Sequence, residues 1–190
     1  MATPAEGVSR LLAVLDRMEI RYYVGGSVAS SAHGIPRTTM DLDLVASLSL
    51  AQVDEFASLL QPDFYADAAM MHDALMRGRS FNLIHYSSAY KFDVFPPRHD
   101  EYSQQEFARR KFTQIQSLGP EPIECAVATA EDTILRKLEW YRAGGETSER
   151  QWNDLRGVLK VSGAQLDRRY LHQWARYLKV DDLLDRLLAE

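Results

Sequence analysis

Apolar positions along this chain change period several times, and each change marks an element. "VSRLLAVLDRME", residues 8–19, repeats its apolar positions at helical spacing, and "RYYV" after it predicts a buried strand. Two glycines follow at once. "SVASSAH" is compatible with a short helix that Gly34 closes in a left-handed conformation and that Pro36 keeps from continuing. Strand character resumes in "MDLDLVA". "SLAQVDEFASLL" opens with Ser49 and Gln52 at capping-box spacing and runs on as an amphipathic helix. "DAAMMHDALM" reads as another helix. "SFNLIHY" and "YKFDVF" flank Ser87, Ser88 and Ala89 in the pattern of a hairpin, and Pro96 and Pro97 end its second strand. A further strand is predicted near "IECAV". From Thr129 onward the pattern is almost wholly helical, with "TAED" as an N-terminal cap signal and Gly144-Gly145 as a break. The expected class is α/β (α+β): a core over 1–127 with a small mixed sheet flanked by helices, then a helical appendage over 128–190.

Composition narrows this reading. A chain of 190 residues suits one sizeable core with a small satellite. With 46% hydrophobic and 26% charged residues it has the balance of an ordinary globular protein, which excludes disordered and fibrous classes. No apolar run approaches the roughly 18 residues that span a bilayer. "MATPAEGVSR" lacks the charged-then-apolar order of a secretory leader. Cys125 is alone, so no internal disulfide forms and a reducing cytoplasm is the default expectation. A formal charge of −5 argues against a broad basic surface, so neither a membrane nor duplex DNA is an expected partner. The densest basic runs, Arg109-Arg110-Lys111 and Arg77 with Arg79, read as solvated faces or hairpin edges.

The candidate chemistry lies in "YYVGGSVASSAHGIPRTTMDLDLVA". Residues i and i+2 of a strand point to one side, so Asp41 and Asp43 present their carboxylates together while Leu42 and Leu44 face the other way. Two carboxylates about 4 Å apart repel by roughly 4 kcal/mol at an effective dielectric of 20, and a divalent cation reverses that repulsion. An exposed acidic strand face is the alternative. Gly25 and Gly26 sit at a strand-to-helix turn, where the missing side chains let a ligand approach the backbone amides and the helix N-terminus favours an anion. Ser27 adds a hydroxyl, so a triphosphate suits the place; a simple tight turn is the other reading. Asp93 in "KFDVF" is set within a strand whose alternation puts Lys91, Asp93 and Phe95 on one face. Such an acid is either exposed or paired with a cation. His33, His72, His85, His99 and His172 show no metal-ligand spacing and read as structural. Trp140, Trp152 and Trp174 occupy helix faces and read as core.

A strand, a glycine turn, a short run, Asp-x-Asp on the next strand and a third acid on a later one resemble the nucleotidyltransferase superfamily of DNA polymerase beta. Here Gly26-Ser27 is followed by 13 residues, 28–40, and then by Asp41-Leu42-Asp43. "AHGIPRTTMDLD" is similar to the wording of the bacterial minimal and AbiEii-like branches, and "ATAEDTILRKLEWYR" with "SERQWNDLRGVL" resembles their helical tail. The resemblance implies that Asp41 and Asp43 bind Mg²⁺ (or Mn²⁺). It implies that Asp93 completes the metal site and is the candidate general base, and that Gly25, Gly26 and Ser27 hold the triphosphate of an NTP. Arg37 either orients phosphate or pairs with an acid of the site. Lys137, with Arg136 and Arg142 on its helix, is placed near the nucleotide by the resemblance, or else is solvated beside the core positions Ile134, Leu135 and Leu138. Asp154 is a candidate partner for Lys137. The implied activity is metal-dependent transfer of an NMP to a hydroxyl on RNA, protein or a small molecule. A toxin-type enzyme of a defence system, with an antitoxin-like protein partner, is one form of it. A catalytically silent nucleotide- or partner-binding module of the same fold is the alternative.

Overall fold

The structure is a computed structural model that describes residues 3–116, 118–119 and 121–190. Helix α1 (Pro4–Arg17) begins with proline in its first turn, where a missing N–H costs nothing, and buries Val8, Leu11, Leu12 and Leu15. Strand β1 (Tyr22–Val24) is buried at all three positions. The chain turns at Gly25 into α2 (Gly26–His33) and crosses to β2 (Asp41–Ala46). Ser49 and Gln52 form the expected capping box at a 3₁₀ turn that leads into α3 (Val53–Leu60). Then come β3 (Phe64–Tyr65), α4 (Ala68–Met76), and the hairpin β4 (Phe81–His85) and β5 (Lys91–Phe95). The sheet closes with β6 (Lys111–Ile115) and β7 (Ile123–Val127), after α5 (Glu101–Arg109) capped by Asp100. The remainder is helical: α6 (Ala130–Ala143), α7 (Glu149–Ser162), α8 (Arg168–Leu178) and α9 (Asp181–Leu188).

The described strands form one mixed sheet in the order β3-β4-β5-β2-β1-β7-β6. β2 runs parallel to β5 and β1 parallel to β7, and the other neighbours are antiparallel. The expected mixed sheet, flanking helices and helical tail are all present. β3 and β6 are additions. β3 has two residues, and β6 is an edge strand on which only Ile115 is buried, so neither carries an alternation that marks a strand.

In β2 and β5 the residues facing the core are Leu42, Leu44, Ala46, Phe92 and Val94, which join Leu11 and Leu15 of α1 and Phe56 and Leu60 of α3. A second apolar cluster gathers Ile134, Leu138, Trp152, Leu155, Leu171 and Leu184 of the helical tail, together with Tyr102 of α5. α2 packs on both α6 and α7. Gly34 is not left-handed: its φ of −138 is extended. Its role is close approach, because a Cβ there would lie 2.7 Å from backbone atoms of Gly157 and Val158 in α7. Ser162 also donates to the carbonyl of His33 at 2.6 Å, so α7 is held to α2 at two points.

Candidate active site

The sheet's second face opens on a cleft of about 910 Å³ between the strands and the helices α6 and α7. Its floor is built from β2. Register pairs Asp43 with Asp93 and Asp41 with Lys91 across the parallel β2–β5 ladder, so the four side chains share one face. Asp41 receives a hydrogen bond from the Thr39 hydroxyl at 2.7 Å, and its carbonyl accepts one from the Tyr90 hydroxyl at 2.8 Å. Asp43 lies beneath the glycine turn. The Gly25 N–H donates to the Asp43 carbonyl at 2.9 Å, and the Ser27 N–H donates to the Asp43 carboxylate. Gly26 has a φ of +53, and a Cβ there would sit 1.7 Å from Oδ2 of Asp43. Glycine is therefore required twice at this position, for its backbone angle and for the carboxylate packed against it.

Burial, then the neighbouring Asp41 and Asp93, raise the pKa of the Asp43 carboxyl, while Lys137 and the Ser27 N–H oppose the rise. Asp43 thus feels both of the other acids predicted from sequence. The three are not equivalent. Asp41 and Asp43 line the cleft, whereas Asp93 is turned onto Lys91, its same-face neighbour, at 2.8 Å. Among the described residues no three His, Cys, Asp or Glu side chains stand together closely enough to hold a metal ion. The donor set still fits a hard divalent cation in kind: it is all carboxylate oxygen, and the repulsion acting on Asp43 is what such a cation relieves.

The opposite wall carries cations. Arg37 makes a two-pronged contact with Asp154, at 2.8 and 2.9 Å, and also donates to the Ser27 hydroxyl and, at 3.3 Å, to the Thr38 carbonyl. Lys137 reaches the same Asp154 at 2.7 Å. Burial raises the Asp154 pKa, but hydrogen bonds from Arg37 and Lys137 outweigh it and hold the carboxyl below its ordinary value. Of the two readings of Lys137, the solvated one is corrected here: the residue is 8% exposed, because the packing of α7 on α6 brings Asp154 over it. One ion cluster, Arg37–Asp154–Lys137, therefore bridges the core to the tail beside the glycine turn.

Several residues of the cleft escaped the sequence reading. Glu106 of α5 is 1% exposed and pairs with Arg136 of α6 at 2.7 Å, and Tyr23 hydrogen-bonds to the same carboxyl. Burial pushes the Glu106 pKa up to about 6, against the pull of Arg136. Arg109 is not solvated as its basic run suggested. It pairs with Glu131 and Asp132 and stacks 3.8 Å over the ring of Tyr170. Arg142 pairs with Glu146 and Asp182 and does not line the cleft. Trp152 and Trp174 are core, as read; Trp140 is not, being 52% exposed on the cleft wall. The sequence offered one signal for it, the spacing of Thr133, Lys137 and Trp140 along a single helical face.

No family model matches the chain, and no curated protein matches it. Solved structures do. The antibiotic-resistance factor ANT(2'')-Ia, studied in solution, superposes with a TM-score of 0.53 at 14% identity over 94% of this chain and 95% of that one. The lincosamide antibiotic adenylyltransferase LnuA, bound to lincomycin, gives 0.53 at 11% identity, over 82% of this chain and 96% of that one. An antigenic nucleotidyltransferase-like protein from Paracoccidioides brasiliensis gives 0.54 at 18% identity, covering 96% and 92%. The glycine turn over Asp43, the register of the acid strands and these superpositions agree: the chain has the nucleotidyltransferase fold.

Proposed function

We propose that the chain transfers a nucleoside monophosphate from an NTP to a hydroxyl acceptor. The observation that carries this reading is the convergence in one cleft of three unlike parts. They are the glycine turn with the Ser27 hydroxyl, carboxylates on β2, and the cations Arg37 and Lys137. An anion such as a triphosphate gains from the cations and from the side-chain-free approach at the turn, and the carboxylates suit a divalent cation that accompanies it. Asp41 and Asp43 would hold that cation with Asp93, and it would supply neutralisation of charge on the transferred phosphate and the departing pyrophosphate. The residues of the chain do the rest. Ser27 and the glycine turn seat the phosphates, and Arg37 and Lys137 balance their charge. Asp93, released from Lys91, accepts the proton of the acceptor hydroxyl.

Incubating the pure protein with Mg²⁺, each labelled NTP and a cell extract tests the proposal. Label on one molecule of the extract supports it, and the identity of that molecule separates RNA, protein and small-molecule acceptors. Arrest of growth on expression, relieved by a companion protein, would assign the toxin form. A second reading, the silent binding module, is favoured by the Lys91–Asp93 pair, which leaves the candidate base occupied. Nucleotide binding without transfer for any NTP would favour it.

A further inference from the structure

α6 and α7 form a helical hairpin joined by residues 144–148, and the Lys137–Asp154 pair fixes which residues lie level with each other. The rings of Tyr141 and Trp152, 5.0 Å apart, set the same register. In an antiparallel pair, three residues onward on α6 is level with three residues back on α7. That step leads from Lys137 to Trp140 and from Asp154 to Gln151, about 4.5 Å further out along the cleft. Both residues line the cleft. Trp140 shows it an indole that is 52% exposed, although the other two tryptophans are buried. Oε1 of Gln151 is buried and has no hydrogen-bond partner among the described residues. A second orphan, the hydroxyl of Thr133, lies at the deep end of the same face of α6. Arg150, beside Gln151, is exposed on the cleft with no carboxylate partner among the described residues.

A half-exposed indole level with an unsatisfied amide oxygen is a complete recognition element for one kind of group. The ring offers a stacking face that accepts any flat heterocycle. The buried oxygen needs a donor, and without one it carries the desolvation cost of an unmade hydrogen bond. Adenine, cytosine and guanine each present an exocyclic amino group; uracil has none. We infer that Trp140 and Gln151 form a nucleobase subsite, in which the base stacks on Trp140 and its exocyclic amino group donates to Oε1 of Gln151. This assignment rests on the nucleotide-binding reading above and deepens it. The subsite lies one helical turn outward from Lys137, so a phosphate chain held at Lys137 and the glycine turn brings its own base to Trp140. The ligand is thus an NTP with an amino-bearing base, ATP, GTP or CTP, and the larger purines cover more of the indole.

Titration of the whole protein in Mg²⁺ with ATP, CTP, GTP, UTP and inorganic tripolyphosphate, read by intrinsic tryptophan fluorescence and by calorimetry, tests this. ATP, GTP and CTP are expected to quench fluorescence and to bind at least tenfold more tightly than UTP or tripolyphosphate. Trp140→Ala removes the quenching and lowers ATP affinity at least tenfold, about 1.4 kcal/mol. It leaves tripolyphosphate affinity and the melting temperature unchanged; Trp140→Phe restores most of the ATP affinity. Gln151→Leu brings ATP down to the level of UTP. Equal binding of all four NTPs to wild type and Trp140→Ala overturns the subsite while leaving the proposed function intact. Failure of every nucleotide and of tripolyphosphate to bind overturns both. An adenine-rich single-stranded oligoribonucleotide that quenches Trp140 and is not displaced by ATP assigns the indole to an acceptor base and overturns the NTP assignment.

Discussion

The two walls of the cleft are made by different means. The strand wall is local: Gly25, Gly26 and Ser27 are consecutive, Asp41 and Asp43 are two residues apart, and each contact between the turn and β2 spans fewer than twenty positions. The helical wall is assembled in part at a distance. Lys137 and Asp154 meet across the α6–α7 hairpin, 17 residues apart, but Arg37 reaches Asp154 from 117 residues away. The strand wall therefore depends on backbone shape, whereas the helical wall depends on charges that hold only while two lobes stay docked. Substitutions should fail differently on the two sides.

The largest effect is expected on the helical wall. Asp154→Ala strands two cations at a site where Lys137 and Asp154 are both about nine-tenths buried, which costs about 4 kcal/mol. Chemical denaturation measures it, and a loss below about 1 kcal/mol would mean that the two walls are not coupled. On the strand wall, Gly26→Ala sets a methyl against the Asp43 carboxylate and forces a left-handed backbone. About 3 kcal/mol of stability should go, together with NTP affinity. Asp43→Asn separates chemistry from folding. Transfer should fall at least about a hundredfold, roughly 2.7 kcal/mol. Metal-free stability at neutral pH should instead rise. The folded pKa of Asp43 lies above its unfolded value, so ionising it works against the fold as pH climbs past that unfolded value.

Glu106 yields a pH signature. Its pKa is about 6 folded against 4.5 for the free group, so the folded state binds the extra proton between these values. The contribution of this group to stability falls by about 2 kcal/mol as pH rises from about 4.5 to about 6. Glu106→Gln should flatten that stretch of the stability profile, measured by urea titration at each pH. The smallest effect is that of Lys137→Ala, about tenfold in NTP affinity or 1.4 kcal/mol by calorimetry, because Arg37 still answers Asp154.

The same contrast explains how much was legible in the sequence. The acid strand, the glycine turn and the capping box were readable because each is a short pattern whose geometry follows from period or spacing. β6 was not, because its edge position leaves Phe112 68% exposed and gives no apolar face to detect. The fate of Trp140 was hidden for another reason. α6 buries Glu131, Asp132, Thr133 and Lys137 beside its leucines, so no clean apolar stripe says which side meets solvent. The pairings of Arg37 with Asp154, Arg109 with Glu131 and Arg136 with Glu106 depend on tertiary docking, which no local pattern encodes.

Asp154 stands between Arg37 and Lys137, so the cleft carries its own counter-ion. Two bare cations beside a glycine turn would collect chloride, acetate or any passing carboxylate. Here a single-charge anion has to displace a carboxylate already fixed in place, and gains little by doing so. A polyphosphate brings enough charge to share the cations with Asp154. Under the proposed function, Asp154 makes the cleft indifferent to ordinary anions and responsive to dense ones, a form of selectivity built by pre-loading the site rather than by shaping it.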